Sequence, residues 1–214
     1  MSADEHELRA AWSRCIADSH DARVLFDSLI GRHREAHRHY HGVRHVTWVV
    51  RHVEELAAAE PVGDVEAVVV AAFFHDAVYD PQAPDNEVAS ARLADRELGT
   101  LGWDDERRQR VAAMIEATAH HATPDDGDTM VLVDADLAVL GSEPASYQAY
   151  VAGVRSEYSH VSAEDWCIGR TQVLRSFLDR PVLFATPTGR AWWETRARAN
   201  LAAEVASLRG RTYR

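Results

Sequence analysis

The sequence contains no lysine, little cysteine and no long apolar run. All 23 basic residues among its 214 are arginines, so chemistry through a lysine Schiff base or a lysine general base is excluded. Cys15 and Cys167 allow at most one disulfide, which is typical of a reducing compartment, and we expect a cytoplasmic protein. The longest apolar run has eight residues, 67–74, whereas a membrane-spanning helix needs roughly 18 to 20. The opening segment MSADEHELRAAW has no apolar stretch of a signal peptide, and we expect no contact with a membrane.

Acidic residues and histidines are what the sequence has in excess. The formal net charge of -11 disfavours binding to a nucleic-acid polymer, because most of the surface should repel phosphates. Any ionic contact to a phosphate must come from arginine, since lysine is absent. There are 12 histidines, and their placement along the chain is more informative than their number.

Helical periodicity runs through nearly the whole sequence, and no segment alternates cleanly as a strand does. We predict an all-α bundle of about ten helices. The predicted helices cover approximately residues 4–19, 21–33, 43–59, 64–75, 87–98 behind an Asn86 cap, 104–121, 129–141, 145–158, 163–178 and 190–208. Residues 142–214 are expected to form a C-terminal helical lobe packed on a core of residues 1–141, as parts of one compact domain.

His75 and Asp76 directly follow the apolar run. The helix that carries the run is apolar almost all round, and we expect it to be the central buried helix. Polar side chains at its buried end need partners, and a metal ion suits an imidazole and a carboxylate together. If this helix and the preceding one are antiparallel across Pro61, His45 lies 16 residues before the turn and His75 lies 14 residues after it. The two imidazoles then reach heights within roughly 3 Å and can share one ion.

A further anionic ligand is expected from another apolar helix. The segment VLVDADLAVL carries Asp134 and Asp136. Residues two apart point to different sides of a helix, so only one of these aspartates is expected to coordinate the ion. The spacing leaves open which of the two it is.

The order of these residues resembles that of the HD superfamily of metal-dependent phosphohydrolases. The segments RHYHGVRHV, FFHDAVYD, NEVASA, IEATAHH and VDADLAVLG, within residues 38–141, are similar to a bacterial group of predicted HD phosphohydrolases. The resemblance implies an HD-domain-like helical bundle with its metal-binding core in residues 1–141. The HD-GYP signature of cyclic-dinucleotide phosphodiesterases is absent. The implied metal ligands are His45, His75, Asp76 and, rather than Asp134, Asp136.

The resemblance implies hydrolysis of a phosphoester or phosphoanhydride in a small molecule, for example a nucleotide. Metal-activated water would attack the phosphorus, and we expect Asp76 to be catalytic as well as a ligand. Two imidazoles and two carboxylates suit Mn, Fe, Co, Ni or Zn, with Mg as a further alternative, and one or two ions can be envisaged. The expected partner is a small phosphate-bearing substrate.

Helper residues follow from charge, position and the resemblance. We expect Glu87 to donate a proton or to orient water, with a favourable acid in the first turn of a helix as the alternative. His121, preferred over His120 from the family spacing, is expected to bind substrate phosphate or a second ion, unless both simply favour a helix C-terminus. Three arginines are candidate phosphate clamps, although any single one is more often a surface residue: Arg38, Arg155 and Arg170.

Other histidine patterns are interpreted as structural. Four histidines recur at every fourth position: His33, His37, His41 and His45. Gly42 and the polar run around it argue against a continuous helix, and we expect His33 and His37 to be exposed. The segment HGVRH also lacks the glutamate of a zinc-protease motif. A second His-Asp pair, His20 and Asp21, lies in a polar helix junction and indicates no site.

Two other functions stand as alternatives to hydrolysis. The first is oxygen-dependent oxidation at a di-iron site, which some HD-fold proteins resemble and which would need an extra histidine and bound iron. The second is a non-catalytic metal or nucleotide sensor that kept the ligands and lost turnover. Trp192 and Trp193 are expected to pack helices together or to form the contact of a homodimer.

Overall fold

The computed structural model describes residues 2–119 and 126–212, and this part of the chain contains helices and no strand. The all-α prediction is therefore confirmed. The helices are α1 (Ala3–Cys15), α2 (His20–Arg32), α3 (Val43–Ala57), α4 (Val65–Phe74), α5 (Asn86–Thr100), α6 (Asp105–Ala117), α7 (Gly127–Leu137), α8 (Pro144–Glu157), α9 (Ala163–Leu178), α10 (Pro187–Gly189) and α11 (Thr195–Thr212). A 3₁₀ turn, Ala138–Gly141, extends α7, and a π-helical turn, Arg190–Glu194, joins α10 to α11.

Short polar side chains begin most of the helices. Ser2 and Glu5 form a capping box at α1, in which each side chain accepts the other residue's backbone N–H. Asp64 accepts an amide of the first turn of α4. Ser162 accepts the backbone N–H of Asp165 at the start of α9. Local sequence thus fixes where these helices start.

The cap predicted at Asn86 is wrong, because Asn86 is the first residue of α5 and Asp85 precedes it. The Asn86 side-chain oxygen accepts the amide of Asp80 at 2.9 Å, and its nitrogen donates to the carbonyls of Asp80 and Ala83. The asparagine therefore closes the loop that joins the His-Asp pair to α5, instead of capping the helix.

Helix α4 lies at the centre of the bundle, as its composition predicts. Residues 67–74 are each at most 2% exposed, and α4 packs against α1, α3, α6 and α7. Burying apolar surface on every side of one helix is the main stabilising term for this arrangement. Within the described residues, no helix is long and apolar enough to cross a bilayer.

The C-terminal helices close over the far end of α7. Gly141 ends the 3₁₀ turn against Trp193, and a Cβ at this position would collide with the tryptophan side chain. Glycine is required here by the close approach and not by a left-handed backbone. Helix α9 packs on α11, and their contact includes a buried ion pair between Arg170 and Glu204 at 2.8 Å. At the end of α8, Glu157 accepts the hydroxyl of Tyr79, which places this helix beside the loop that follows the His-Asp pair.

Candidate metal centre

His45 and His75 meet at the junction of two packed helices. His45 is in the first turn of α3, and His75 directly follows α4 as its C-cap. Their Nε2 atoms are 3.1 Å apart, and the residues are 3% and 1% exposed. The structure therefore brings the two imidazoles to one height across the turn, as antiparallel packing of the two helices requires.

Two carboxylates face the same pair of nitrogens. Asp76 Oδ2 lies 3.2 Å from His45 Nε2 and 3.1 Å from His75 Nε2. Asp136 Oδ1, from α7, lies 3.3 Å from His45 Nε2 and 3.7 Å from His75 Nε2. The start of α3, the end of α4 and the end of α7 thus bring four side chains of metal-ligand type together.

The chemistry of this cluster fits a bound cation. Asp76 Oδ2 is buried and accepts no hydrogen bond from the described residues, and an unsatisfied buried carboxylate oxygen is costly unless a charge pairs with it. Ligand atoms of His45, His75 and Asp76 all lie within 4.8 Å of one another, so these three residues can hold a metal ion.

The shifted pKa values of His45, His75 and Asp76 indicate that positive charge stabilises the cluster. Burial opposes protonation of the imidazoles, but the carboxylates of Asp76 and Asp136 outweigh it, so the pKa of His45 is raised and that of His75 is raised well above its usual range. Burial alone would raise the pKa of Asp76, yet the nearby histidines hold that pKa well below its usual range. A divalent cation supplies the same compensation in place of these protons.

Backbone contacts orient the ligands from outside. His75 donates its Nδ1–H to the carbonyl of Ala72 at 2.8 Å, which directs the Nε2 lone pair toward the cluster. Arg38 donates to the carbonyls of Asp76 at 2.6 Å, Ala77 at 3.2 Å and His41 at 3.1 Å. The Arg38 side chain is fully buried.

The predicted phosphate-clamp role of Arg38 stays a prediction, and the contacts of Arg38 favour a different role. Its buried guanidinium donates to three backbone carbonyls and to the Glu35 carboxylate at 3.0 Å, and Arg38 is not among the residues that line the pocket. Arg38 instead joins two segments that carry ligands, the turn before α3 and the loop after α4. We assign it to positioning the site.

Asp134 points away from the cluster. Its carboxylate accepts the backbone N–H of Ala185 at 2.7 Å and both the N–H and the hydroxyl of Thr186, at 2.8 and 2.7 Å. Burial raises the pKa of Asp134, against the effect of these hydrogen bonds. Asp134 therefore fastens the segment before α10 to α7, while Asp136 faces the histidines.

The other two predicted phosphate clamps differ from each other. Arg155 donates to the carbonyls of Tyr158 and Val161, which closes the turn between α8 and α9 away from the pocket. Arg170 does line the pocket, with Nε bonded to Glu204 and Nη2 shared between Glu204 and the hydroxyl of Tyr150. Burial opposes the charge of Arg170, but Tyr150 and Glu204 hold its pKa above the usual range.

Glu87 lies in the first turn of α5 and lines the pocket. This position agrees with the predicted role of Glu87 in donating a proton or orienting water. It agrees equally with the structural alternative, since acids are favoured in a first helical turn. His120 and His121 lie outside the described residues, so their predicted roles stay predictions.

A histidine and glutamate pair beside the cluster was missed by sequence reasoning. Glu157 of α8 is buried, and its Oε1 accepts the backbone N–H groups of His39, Tyr40 and His41 at 2.7 to 3.0 Å. Its Oε2 accepts His41 Nδ1–H at 2.7 Å and the hydroxyl of Tyr79 at 2.9 Å. The only sequence signal for this pair was the position of His41, four residues before His45.

The exposure expected for His33 is also wrong. His33 is 2% exposed and donates its Nε2–H to the carbonyl of Phe73 at 3.2 Å. Burial and the charge of Arg38 lower the pKa of His33 to about 3, so the imidazole is neutral at physiological pH. His37 is exposed, as predicted.

A pocket of about 560 Å³ opens beside the cluster, and Asp76 and Asp136 line it. His41, Glu87 and Arg170 line it as well. Pockets of this size suit a small organic ligand. The cluster is therefore accessible to a small molecule from one side.

Comparison with known proteins identifies no relative: no family model matches the chain, and neither a curated protein nor a solved structure matches it.

Proposed function

We propose that this protein is a metal-dependent phosphohydrolase that removes a phosphate group from a small molecule. The observation that carries the proposal is that His45, His75, Asp76 and Asp136 converge on one point beside a pocket of small-molecule size, with Asp76 and Asp136 in its wall. The order of these four residues along the chain agrees with the resemblance to the HD superfamily.

His45, His75, Asp76 and Asp136 would hold the ion. Two imidazole nitrogens and two carboxylate oxygens suit Mn, Fe, Co, Ni or Zn, and Mg is tolerated by the oxygen ligands. The chemistry that such an ion supplies when bound is a lower pKa for water and neutralisation of charge on a phosphoryl oxygen.

His41 is the residue best placed to move a proton. Its Nδ1 is held by Glu157 at 2.7 Å, which leaves Nε2 as the ring nitrogen free to face a substrate, and the ring lines the pocket together with Asp76 and Asp136. Histidines fixed by a carboxylate in this way act as general acids or bases. We assign His41 to donating a proton to the leaving-group oxygen of the ester.

Glu87 and Arg170 complete the proposed site. Glu87 shares the pocket wall with the cluster and can orient water. Arg170 keeps Nε and Nη2 on Glu204 and Tyr150, and among the described residues none accepts a hydrogen bond from Nη1. Arg170 would therefore contact a substrate oxygen through Nη1 while the ion pair holds its position.

The function is tested by metal analysis and phosphate release. We expect mass spectrometry of the purified protein to find a bound transition metal, and phosphate to be released from a panel of phosphoesters with added Mn, Co, Ni or Mg. Asp76→Ala should abolish both metal retention and phosphate release. The matched control is Asp21→Ala, because Asp21 follows a histidine but is exposed and far from the pocket lining.

Activity of Asp76→Ala equal to that of the wild type would refute the hydrolase proposal. Two irons per chain with an absorption spectrum that changes on exposure to oxygen would instead favour the oxidation chemistry. Bound metal without turnover on any phosphoester would favour a sensor.

The role of His41 has its own signature in the leaving group. His41→Gln should lower kcat by about 10²- to 10⁴-fold for an alkyl phosphate, which needs a protonated leaving group, and far less for p-nitrophenyl phosphate, which does not. Equal losses for both esters would mean that His41 only supports the fold of the site.

A further inference from the structure

The pocket wall combines the polar cluster, with His41, Asp76 and Asp136, and five aromatic rings. Two of the rings, Tyr40 and Tyr79, lie next to His41, with centroids 4.8 and 4.4 Å from its ring. The rings come from the turn before α3, the loop after α4, and helices α8 and α9. These rings are Tyr40, Tyr79, Tyr150, Tyr158 and Phe177.

One apolar residue of this wall is open to solvent. Val173 of α9 lines the pocket and is 47% exposed. Apolar and aromatic side chains in a pocket wall commonly contact the apolar part of a small ligand. The wall around Val173 therefore suits an uncharged body with a flat or apolar surface.

The charges of the described wall argue against additional phosphates. It contains three acids and two arginines, and Arg170 is already compensated by Glu204 at 2.8 Å. The second arginine, Arg180, lies over the ring of Phe177 at 4.5 Å. A substrate with several phosphates would bring more negative charge than this wall can balance once the cluster is filled.

We propose that the substrate is a phosphomonoester with a single phosphate and an uncharged, ring-bearing body, which packs on the aromatic wall while the phosphate lies at the cluster. This inference rests on the proposed phosphohydrolase function. It specifies the class of substrate from the chemistry of the cluster and of the aromatic wall.

The first test compares benzyl phosphate with glycerol 3-phosphate. Both esters have an alkyl leaving group that needs protonation, so their difference reports mainly the contact made by the body. We expect kcat/KM to be about 10- to 100-fold higher for benzyl phosphate, from burial of one ring. Along the series AMP, ADP and ATP, in which the body is constant, kcat/KM should fall at each added phosphate.

The second test changes the wall without adding charge. Val173→Gln should lower kcat/KM for benzyl phosphate about fivefold, and the loss should be clearly larger than that for glycerol 3-phosphate. The matched control is Ile168→Gln on the same helix, because Ile168 is 51% exposed and does not line the pocket. Both side chains are exposed enough for the variants to fold, which circular dichroism checks.

The outcomes separate the two proposals. Equal kcat/KM for benzyl phosphate and glycerol 3-phosphate, in a protein whose phosphate release is abolished by Asp76→Ala, would overturn the substrate class and leave the hydrolase function standing. If no ester is hydrolysed, the proposed function fails, and calorimetry with benzylphosphonate and methylphosphonate still tests the wall. Tighter binding of benzylphosphonate would support the ring-bearing body, and equal binding would overturn it.

Discussion

Glu157→Gln should destabilise the protein and the site together, because one buried carboxylate holds the turn before α3. The side chain is fully buried and accepts hydrogen bonds from three amides, from His41 and from Tyr79. Glutamine keeps one oxygen acceptor but replaces the other by an NH₂ group. The new NH₂ group then faces hydrogen-bond donors of the protein. At least one buried N–H or O–H group therefore loses its acceptor.

The pKa of Glu157 gives the size of the effect. Burial favours the protonated acid, but hydrogen bonds from His41 and from the amides of Tyr40 and His41 prevail and hold the pKa at about 2, against an ordinary 4.5. That difference corresponds to about 3 kcal/mol of stability at neutral pH. Because the folded pKa is lowered, this contribution is complete above pH 4.5 and is lost as the pH falls from 4.5 toward 2.

Urea denaturation followed by circular dichroism measures this directly. At pH 7 the free energy of unfolding of Glu157→Gln should be lower than that of the wild type by about 2 to 3 kcal/mol, and the gap should narrow as the pH falls below 4.5. The control is Glu164→Gln, since Glu164 is exposed in the first turn of α9. A gap below about 0.5 kcal/mol at pH 7, or one that does not change with pH, would refute the reasoning.

Four further substitutions test the assignments around the site and the contact of the C-terminal helices. Asp134→Ala should lower the free energy of unfolding by about 3 kcal/mol or more and spare metal content, because three buried donors lose their acceptor. Asp136→Ala should instead lose metal without destabilising the metal-free protein; mass spectrometry and urea denaturation separate the two variants, and the opposite pattern would exchange their roles. Arg38→Gln should cost about 2 to 4 kcal/mol and weaken metal binding, since backbone carbonyls of the His-Asp loop lose their donor; calorimetric metal titration checks this, and unchanged affinity would contradict it. Gly141→Ala should cost about 1 to 3 kcal/mol through collision with Trp193, and an unchanged Tm would show that the contact can relax.

Sequence reasoning worked best where the controlling interactions are local. The helix starts at Ser162 and the buried α4 follow from residues within a few positions of each other, and caps and apolar periodicity act over that range. The failure at Asn86 is of the same kind. An asparagine that closes a loop and one that caps a helix look identical in sequence, because both use short-range hydrogen bonds to backbone groups.

Long-range polar contacts were beyond sequence reasoning. Glu157 binds His41 across 116 positions of chain, and Arg38 reaches the carbonyl of Asp76 across 38. No spacing rule connects such residues, since their distance depends on how whole helices pack. An arginine that holds backbone carbonyls and one that binds phosphate have the same chemistry, and only burial distinguishes them.

The sequence alone determined that this chain is helical, that residues 67–74 lie at its centre, and that a histidine before the turn and one after it can reach equal heights, because these follow from helical rise and apolar periodicity. Helix geometry left Asp134 and Asp136 open and the resemblance favoured Asp136, but only the tertiary structure shows that Asp136 faces those histidines and that Glu157 holds His41 beside them. Those choices depend on the rotation of α7 and α8 about their axes, which packing against distant residues sets.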